Sequence, residues 1–180
     1  MRIENDFEVP AAPDTAWALL TDVPRVVPCM PGAELERTVD ESTWEILQRV
    51  KLGPISLHFR STVTRTELNE AERRAVLSVD AREARGRGGA EATIASSLAA
   101  GENGTRVTLV TDISLRGSVA QYGRPVIGSV AEELTRQFAT CLASMLEQEA
   151  PQLPTRNPEP IGGSRLVARA YWRKLRRRSS

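Results

Sequence analysis

Ile3, Phe7 and Val9 alternate with Glu4, Asp6 and Glu8 at the start of the chain. This is the two-residue period of a strand with one face on a core, and Pro10 ends it. The period then changes. Asp14, just after Pro13, is placed to cap a short amphipathic helix carrying Ala16, Trp17, Leu19 and Leu20, and Pro24, Pro28 and Pro31 confine the next segment to short turns of helix. Beyond them alternation dominates. Trp44, Ile46 and Val50 share a face up to Gly53 and Pro54, and Ile55, Leu57, Phe59 and Val63 resume it against His58, Arg60 and Thr62, which predicts a hairpin. Asn69 to Glu72 reads as a turn, Leu77, Val79 and Ala81 as a strand running into the Gly86 to Gly89 turn. Ala92, Ile94 and Leu98 lead into Gly101-Glu102-Asn103-Gly104, a strong hairpin signal answered by Val107, Leu109 and Ile113. The pattern predicts a six-strand meander with the N-terminal strand as a seventh.

From Val119 to Glu149 the spacing turns helical. Tyr122, Val126, Val130, Leu134, Phe138, Leu142 and Met145 recur every three or four residues, opposite Glu132, Glu133, Arg136, Gln137 and Glu147. One long helix is predicted, with a start after Pro125 as the alternative, and Glu132 and Glu133 fall on its outer face. The fold class is α+β. A straight helix laid across a curved antiparallel sheet buries the apolar faces of both and leaves space between them where their shapes do not match.

Residues 150–163 carry Pro151, Pro154, Pro158 and Pro160 and end in Gly162-Gly163, a composition for an extended spacer of roughly 30 to 40 Å at about 3.1 Å per residue. The chain thus divides into a body (1–149), a linker (150–163) and a tail (164–180). Charge sharpens this division. The formal net charge of +1 hides a body and linker to Ile161 with 17 basic and 23 acidic residues, followed by 19 residues with seven basic and no acidic ones. In the tail Leu166 with Ala170, and Val167 with Tyr171 and Leu175, form adjacent i, i+4 rows beside Trp172. Arg165, Arg169, Arg173, Lys174, Arg176, Arg177 and Arg178 occupy much of the rest. Aromatic residues beside a cationic stripe suit a helix lying in a lipid headgroup region, with at most about 1 kcal/mol per basic residue near an anionic leaflet. Nucleic acid, an acidic partner protein and the chain's own acidic body compete for the same tail; the acidic body argues against nucleic acid.

The 180 residues, 41% hydrophobic and 26% charged, fit one domain with an appendage. No basic leader with an apolar run and no stretch of eighteen apolar residues is present, so a cytoplasmic protein is expected. Cys29 and Cys141 lie far apart in sequence in apolar settings, and two reduced, packed thiols are expected rather than a disulfide.

Chemistry-bearing motifs are few. The sole histidine, His58, falls on the solvent register of its strand and is a poor acid or base. No HExxH, Cys/His ligand set or nucleophile motif occurs, so no metal site and no catalytic residue is assigned. The Arg85 to Gly89 run has no helix pattern after it to supply amides for a phosphate, and reads as a turn. Gln48, Ser61, Ser96 and Thr111 fall on the inward register, and none is an acid or base. The residues directed at the space between sheet and helix are Leu57, Phe59, Leu77, Val79, Ile94, Leu109, Ile113, Tyr122, Val126 and Val130. Each also suits ordinary core, but with only 4% aromatics the set is poor in bulk for filling an interior to normal density.

The stretches EVPAAPDTAWALLTD, PCMPGAE, VKLGPISLHF, GRGGAEATI and SLRGSVAQYGRPVIGSVAEELTRQFATCLASML together resemble the CoxG family of carbon monoxide dehydrogenase subunits, within the START-like (SRPBCC) helix-grip superfamily. The resemblance covers about residues 2–146, and its last stretch is the most specific. It implies a helix-grip fold: a curved seven-stranded antiparallel sheet wrapped around a long C-terminal helix, with two short helices after the first strand. It also implies a scaffold for lipids, sterols or other hydrophobic molecules, and association with carbon monoxide dehydrogenase or a related molybdenum hydroxylase at the respiratory membrane, where quinone is the electron acceptor. The expectation is therefore a non-catalytic carrier of a quinone (menaquinone or ubiquinone) or lipid, peripheral on the inner face of the cell membrane, that recruits the hydroxylase and links it to the quinone pool. An assembly adaptor without ligand is the alternative, and an aromatase/cyclase enzyme a further one.

Overall fold

The structure is a computed structural model and describes residues 1–52 and 54–149; the linker and the tail lie outside the described residues. Seven antiparallel strands form one curved sheet in the order β1-β7-β6-β5-β4-β3-β2. They are β1 (Arg2–Val9), β2 (Ala33–Thr38), β3 (Thr43–Leu52), β4 (Ile55–Asn69), β5 (Arg74–Glu83), β6 (Gly88–Ala100) and β7 (Thr105–Gly117). Two short helices, α1 (Pro13–Leu20) and α2 (Val23–Val26), follow β1, and the 27-residue α3 (Gly123–Glu149) closes the described chain. This is a helix-grip fold.

β2 falls where the alternation marked no particular segment. As an edge strand reading Ala-Glu-Leu-Glu-Arg-Thr it puts only Ala33 and Leu35 toward the core, and a bulge between Leu35 and Arg37 breaks its period. Asp14 does not cap α1. Ala12 holds the cap position with no side-chain bond, Pro13 supplies the preset first turn, and Asp14 turns outward to pair with Arg73 at 2.6 Å. The long helix begins at Gly123, two residues before Pro125, because a 3-10 turn at Ser118–Tyr122 precedes it and proline fits a first helical turn. Gly86 lies in the turn as predicted, but Gly88 and Gly89 belong to β6. A Cβ on Gly88, at φ 120°, would stand 1.9 Å from the Arg116 carbonyl oxygen, so a side chain there would force β6 and β7 apart.

The pairings place Val9, Phe7, Val107, Leu109 and Leu98 on one face of the sheet, with Trp44 and Val63 on that face further along. The C-terminal half of α3 seals one part of this face: Phe138, Leu142 and Leu146 join Val9, Leu98, Val107, Ala16 and Leu19 in a buried cluster, and Phe7 meets Phe138 edge-on at 6.2 Å. A second cluster of Val23, Val27, Trp44 and Val63 lies under the short helices. Arg65 covers Trp44 at 5.6 Å and donates to the Thr21 and Glu41 carbonyls at 3.2 and 3.0 Å, tying the end of α1 to the sheet.

The expectation of two separate reduced thiols is corrected. Cys29 and Cys141 are joined in a disulfide with Cα atoms 5.3 Å apart. Their separation of 112 residues in sequence concealed that the turn at Val27–Cys29 packs against the C-terminal half of α3. Arg25 and Glu149 pair at the same end of the helix.

Candidate functional site

The pairing register carries Phe59, Leu57, Val79, Leu77, Ile94, Leu109 and Ile113 onto the face that α3 crosses, together with Gln48, Ser61, Ser96 and Thr111. Leu57 is buried, yet Phe59, Leu77, Val79, Ile94, Leu109 and Ile113 are only half-buried. A filled interior would bury them as it buries Leu142 and Val107, so the middle of the inner face is left accessible. The cause is in α3. Its C-terminal half carries the buried Phe138, Leu142 and Leu146, whereas nothing from Gly123 to Gln137 is buried, and Val126 is 42% exposed.

Under this raised half lies a cavity of about 1030 Å³. Tyr122, Pro125, Val126, Ser129, Val130, Glu133, Leu134 and Gln137 form the helix side, Pro31 and Gly32 an end wall, and Arg49, Val50, Lys51 and Ser56 the facing hairpin. Of the ten residues directed at this space by sequence, Tyr122, Val126 and Val130 line this cavity. The seven strand residues do not, and Val79 and Ile113 border a separate depression with Ser78, Asp80, Glu91 and Asp112. Sequence reasoning missed the end of β3 and the Pro31-Gly32 turn. The signal was present in the PCMPGAE turn, since Gly32 accepts from the Arg49 amide at 2.9 Å and marks where β2 stops covering β3.

The wall is mostly apolar, and its polar groups are largely occupied. Ser129 Oγ donates to the Pro125 carbonyl at 3.0 Å. Glu133 does not simply decorate the outer face as expected; it borders the mouth. Hydrogen bonds from Arg136 at 2.6 and 2.9 Å, then from Gln137 at 2.5 Å, hold its carboxyl down to about 2, so it is ionised and charge-paired at neutral pH. The Tyr122 hydroxyl makes no hydrogen bond among the described residues and, with the Arg49 and Lys51 side chains, is a donor in the lining left for a ligand.

On the inner face Gln48 donates to the Pro31 carbonyl at 2.8 Å and Ser96 to the Ala75 carbonyl at 3.3 Å. Glu83 is the acid that sequence reasoning passed over: it is the next alternating step after Leu77, Val79 and Ala81, sits opposite Phe59, and is 5% exposed. Burial pushes its carboxyl up. Backbone amides of Arg85 at 2.8 Å, Arg87 at 3.2 Å and His58 at 3.4 Å, with the Arg87 charge, outweigh that and leave it below the usual carboxylate range. It is a structural clasp on the β5–β6 turn. His58 stands exposed on the opposite register beside Ser56. Among the described residues no cluster of three or more His, Cys, Asp or Glu is placed to hold a metal, and no helix is long and apolar enough to cross a membrane.

Residues 6–147 match the family model for CoxG, a carbon monoxide dehydrogenase subunit. A search of curated proteins found no match. Among solved structures, a conserved protein from Geobacillus kaustophilus is similar with a TM-score of 0.74 at 17% identity, over 82% of this chain and 96% of that one. The Zhui aromatase/cyclase from Streptomyces sp. R1128 has a TM-score of 0.58 at 16% identity, over 82% and 94%. A protein from Thermus thermophilus has 0.57 at 12%, over 81% and 99%. At these identities the structural likenesses show the START-like fold alone.

Proposed function

Because the chain belongs to the CoxG family of carbon monoxide dehydrogenase subunits, we propose that it is a non-catalytic carrier that holds a quinone or lipid between sheet and α3 and recruits a carbon monoxide dehydrogenase-type molybdenum hydroxylase to the membrane. The observation that carries this reading is the cavity of about 1030 Å³ with its apolar wall, continuous in register with a half-buried inner face. That volume is at the upper end of ordinary small-molecule pockets, roughly 300 to 1,000 Å³, and suits a ring with an attached hydrocarbon chain. Leu134, Val130, Val126 and Val50 supply apolar surface, and the Tyr122 hydroxyl supplies a donor for a carbonyl oxygen. The inner-face polar groups Gln48 and Ser96 are spent on backbone carbonyls and Glu83 on backbone amides, which favours a holder over a catalyst.

The basic tail, Arg165 to Arg178, serves as the reversible hold on an anionic leaflet, so the protein works as a peripheral partner on the cytoplasmic face. The experiment is extraction of the purified full chain with organic solvent, followed by titration with a short-chain quinone. A co-extracted quinone, or micromolar binding weakened several-fold by Tyr122→Phe, supports the carrier. A clean extract with no binding of added quinone leaves the adaptor without ligand.

A further inference from the structure

Basic side chains without an ion pair gather at one end of the sheet among the described residues, where Glu34 and Glu132 are also unpaired. Sixteen basic side chains lie in residues 1–149. Arg49, Lys51, Arg65, Arg85, Arg87 and Arg124 make no ion pair within 4.0 Å among the described residues, whereas each of the others does. Arg65 is spent on Trp44 and two carbonyls. The other five gather at one end. Arg49 and Lys51 close β3, Arg85 and Arg87 form the β5–β6 turn, and Arg124 opens α3, whose preceding 3-10 turn hydrogen-bonds back to Arg87. The meander puts these segments together because β3, β5 and β7 all finish there.

The opposite end carries the reverse sign. The turns after β2, β4 and β6 hold Asp40, Glu41, Glu70, Glu72 and Glu102, none of them in an ion pair within 4.0 Å among the described residues. The 15 residues of β4 separate the two ends by about 45 Å. The basic end is also the open one: Lys51, Pro125 and Val126 line the cavity there and are exposed.

We propose that this open end is itself a docking surface for an anionic lipid bilayer, setting the cavity mouth against the membrane independently of the tail. Exposed aliphatic groups ringed by unpaired cations match the boundary between acyl chains and anionic headgroups. Free carboxylates at the far end turn the molecule so that the mouth faces down in the surface field. The route for the ligand deepens the carrier reading and rests on it, because an apolar molecule entering at this end never crosses water.

The test uses the full chain on vesicles of phosphatidylglycerol and phosphatidylcholine with brominated acyl chains, which quench nearby tryptophan. Val126→Trp reports on the mouth and Leu68→Trp, 43% exposed at the acidic end, on the far side. The unsubstituted chain gives the background of Trp17, Trp44 and Trp172. Extra quenching is expected at position 126 and not at 68. Adding Lys51→Gln and Arg124→Gln lowers the extra quenching while the tail still brings the chain to the vesicles, each neutralised charge weakening mouth contact by about fivefold at low salt. Equal quenching at the two positions overturns the proposal. So does binding of the chain to vesicles without quenching at 126, which leaves the basic end for an acidic protein. Quenching at 126, with the unsubstituted chain taking up no quinone, keeps the surface and removes the carrier, so the two failures are separable.

Discussion

Leu142 and Ile94 both face the space between sheet and α3, but Leu142 is fully enclosed and Ile94 is half-buried. Leu142→Ala is expected to cost about 2 to 5 kcal/mol in denaturant unfolding, the range for a large side chain removed from a sealed core. Ile94→Ala is expected to cost about 1 kcal/mol, since its site already admits solvent and gains no sealed void. Equal losses of stability would mean that the inner face is packed throughout. Glu83 gives a pH signature. Its folded pKa is depressed below 4.5, so its contribution to stability is full above that value and is lost as pH falls through the folded pKa. Glu83→Gln is therefore expected to melt lower than the natural chain at pH 7, with the gap closing under acid; a gap that widens as pH falls contradicts the clasp. Residue by residue, the inward register was legible because strand period fixes the face wherever one side is buried. It also held Glu83, one step past Ala81. That Ile94 is left half-buried and Leu142 enclosed was not legible, because apolar spacing along α3 is similar over both its halves while its burial is not.

Among elements, the Cys29–Cys141 link joins the turn after α2 to α3 and encloses a loop of 112 residues. Loop-closure entropy predicts that Cys141→Ser lowers stability by about 2 to 4 kcal/mol. Peptide mapping without reductant should recover the two cysteines in one linked fragment; free thiols at both positions in carefully alkylated protein would remove the link. In a reducing compartment such a bond is short-lived, so trapping its state in cells also reports where the protein resides. Element type was legible nearly everywhere, since β3 to β7 and α3 announce themselves by period. β2 was not, because an edge strand needs only two inward residues. The start of α3 was set too early at Val119, because the apolar spacing runs on through the 3-10 turn at Ser118–Tyr122, and the alternative start after Pro125 was too late, because proline fits a first helical turn.

At the scale of the whole molecule, net charge was legible and its arrangement was not. Counting found an acidic body, but only the alternating direction of the strands assigns Lys51, Arg85 and Arg124 to one end and Glu41, Glu72 and Glu102 to the other. The same topology makes α3 a beam clamped at one end. Its far part is riveted by the disulfide, by Phe138, Leu142 and Leu146, and by the Arg25–Glu149 pair, while the stretch from Arg124 to Leu134 has no comparable seat. Deflection of such a beam grows with distance from its clamp. Amide hydrogen exchange should therefore fall along the helix, fast at 124–134 and slow at 138–146, and a bound quinone should slow only the first stretch. A clamped beam also adjusts its gap without unfolding, so under the proposed carrier function cargoes with hydrocarbon chains of different length would be gripped by one protein at the cost of bending alone.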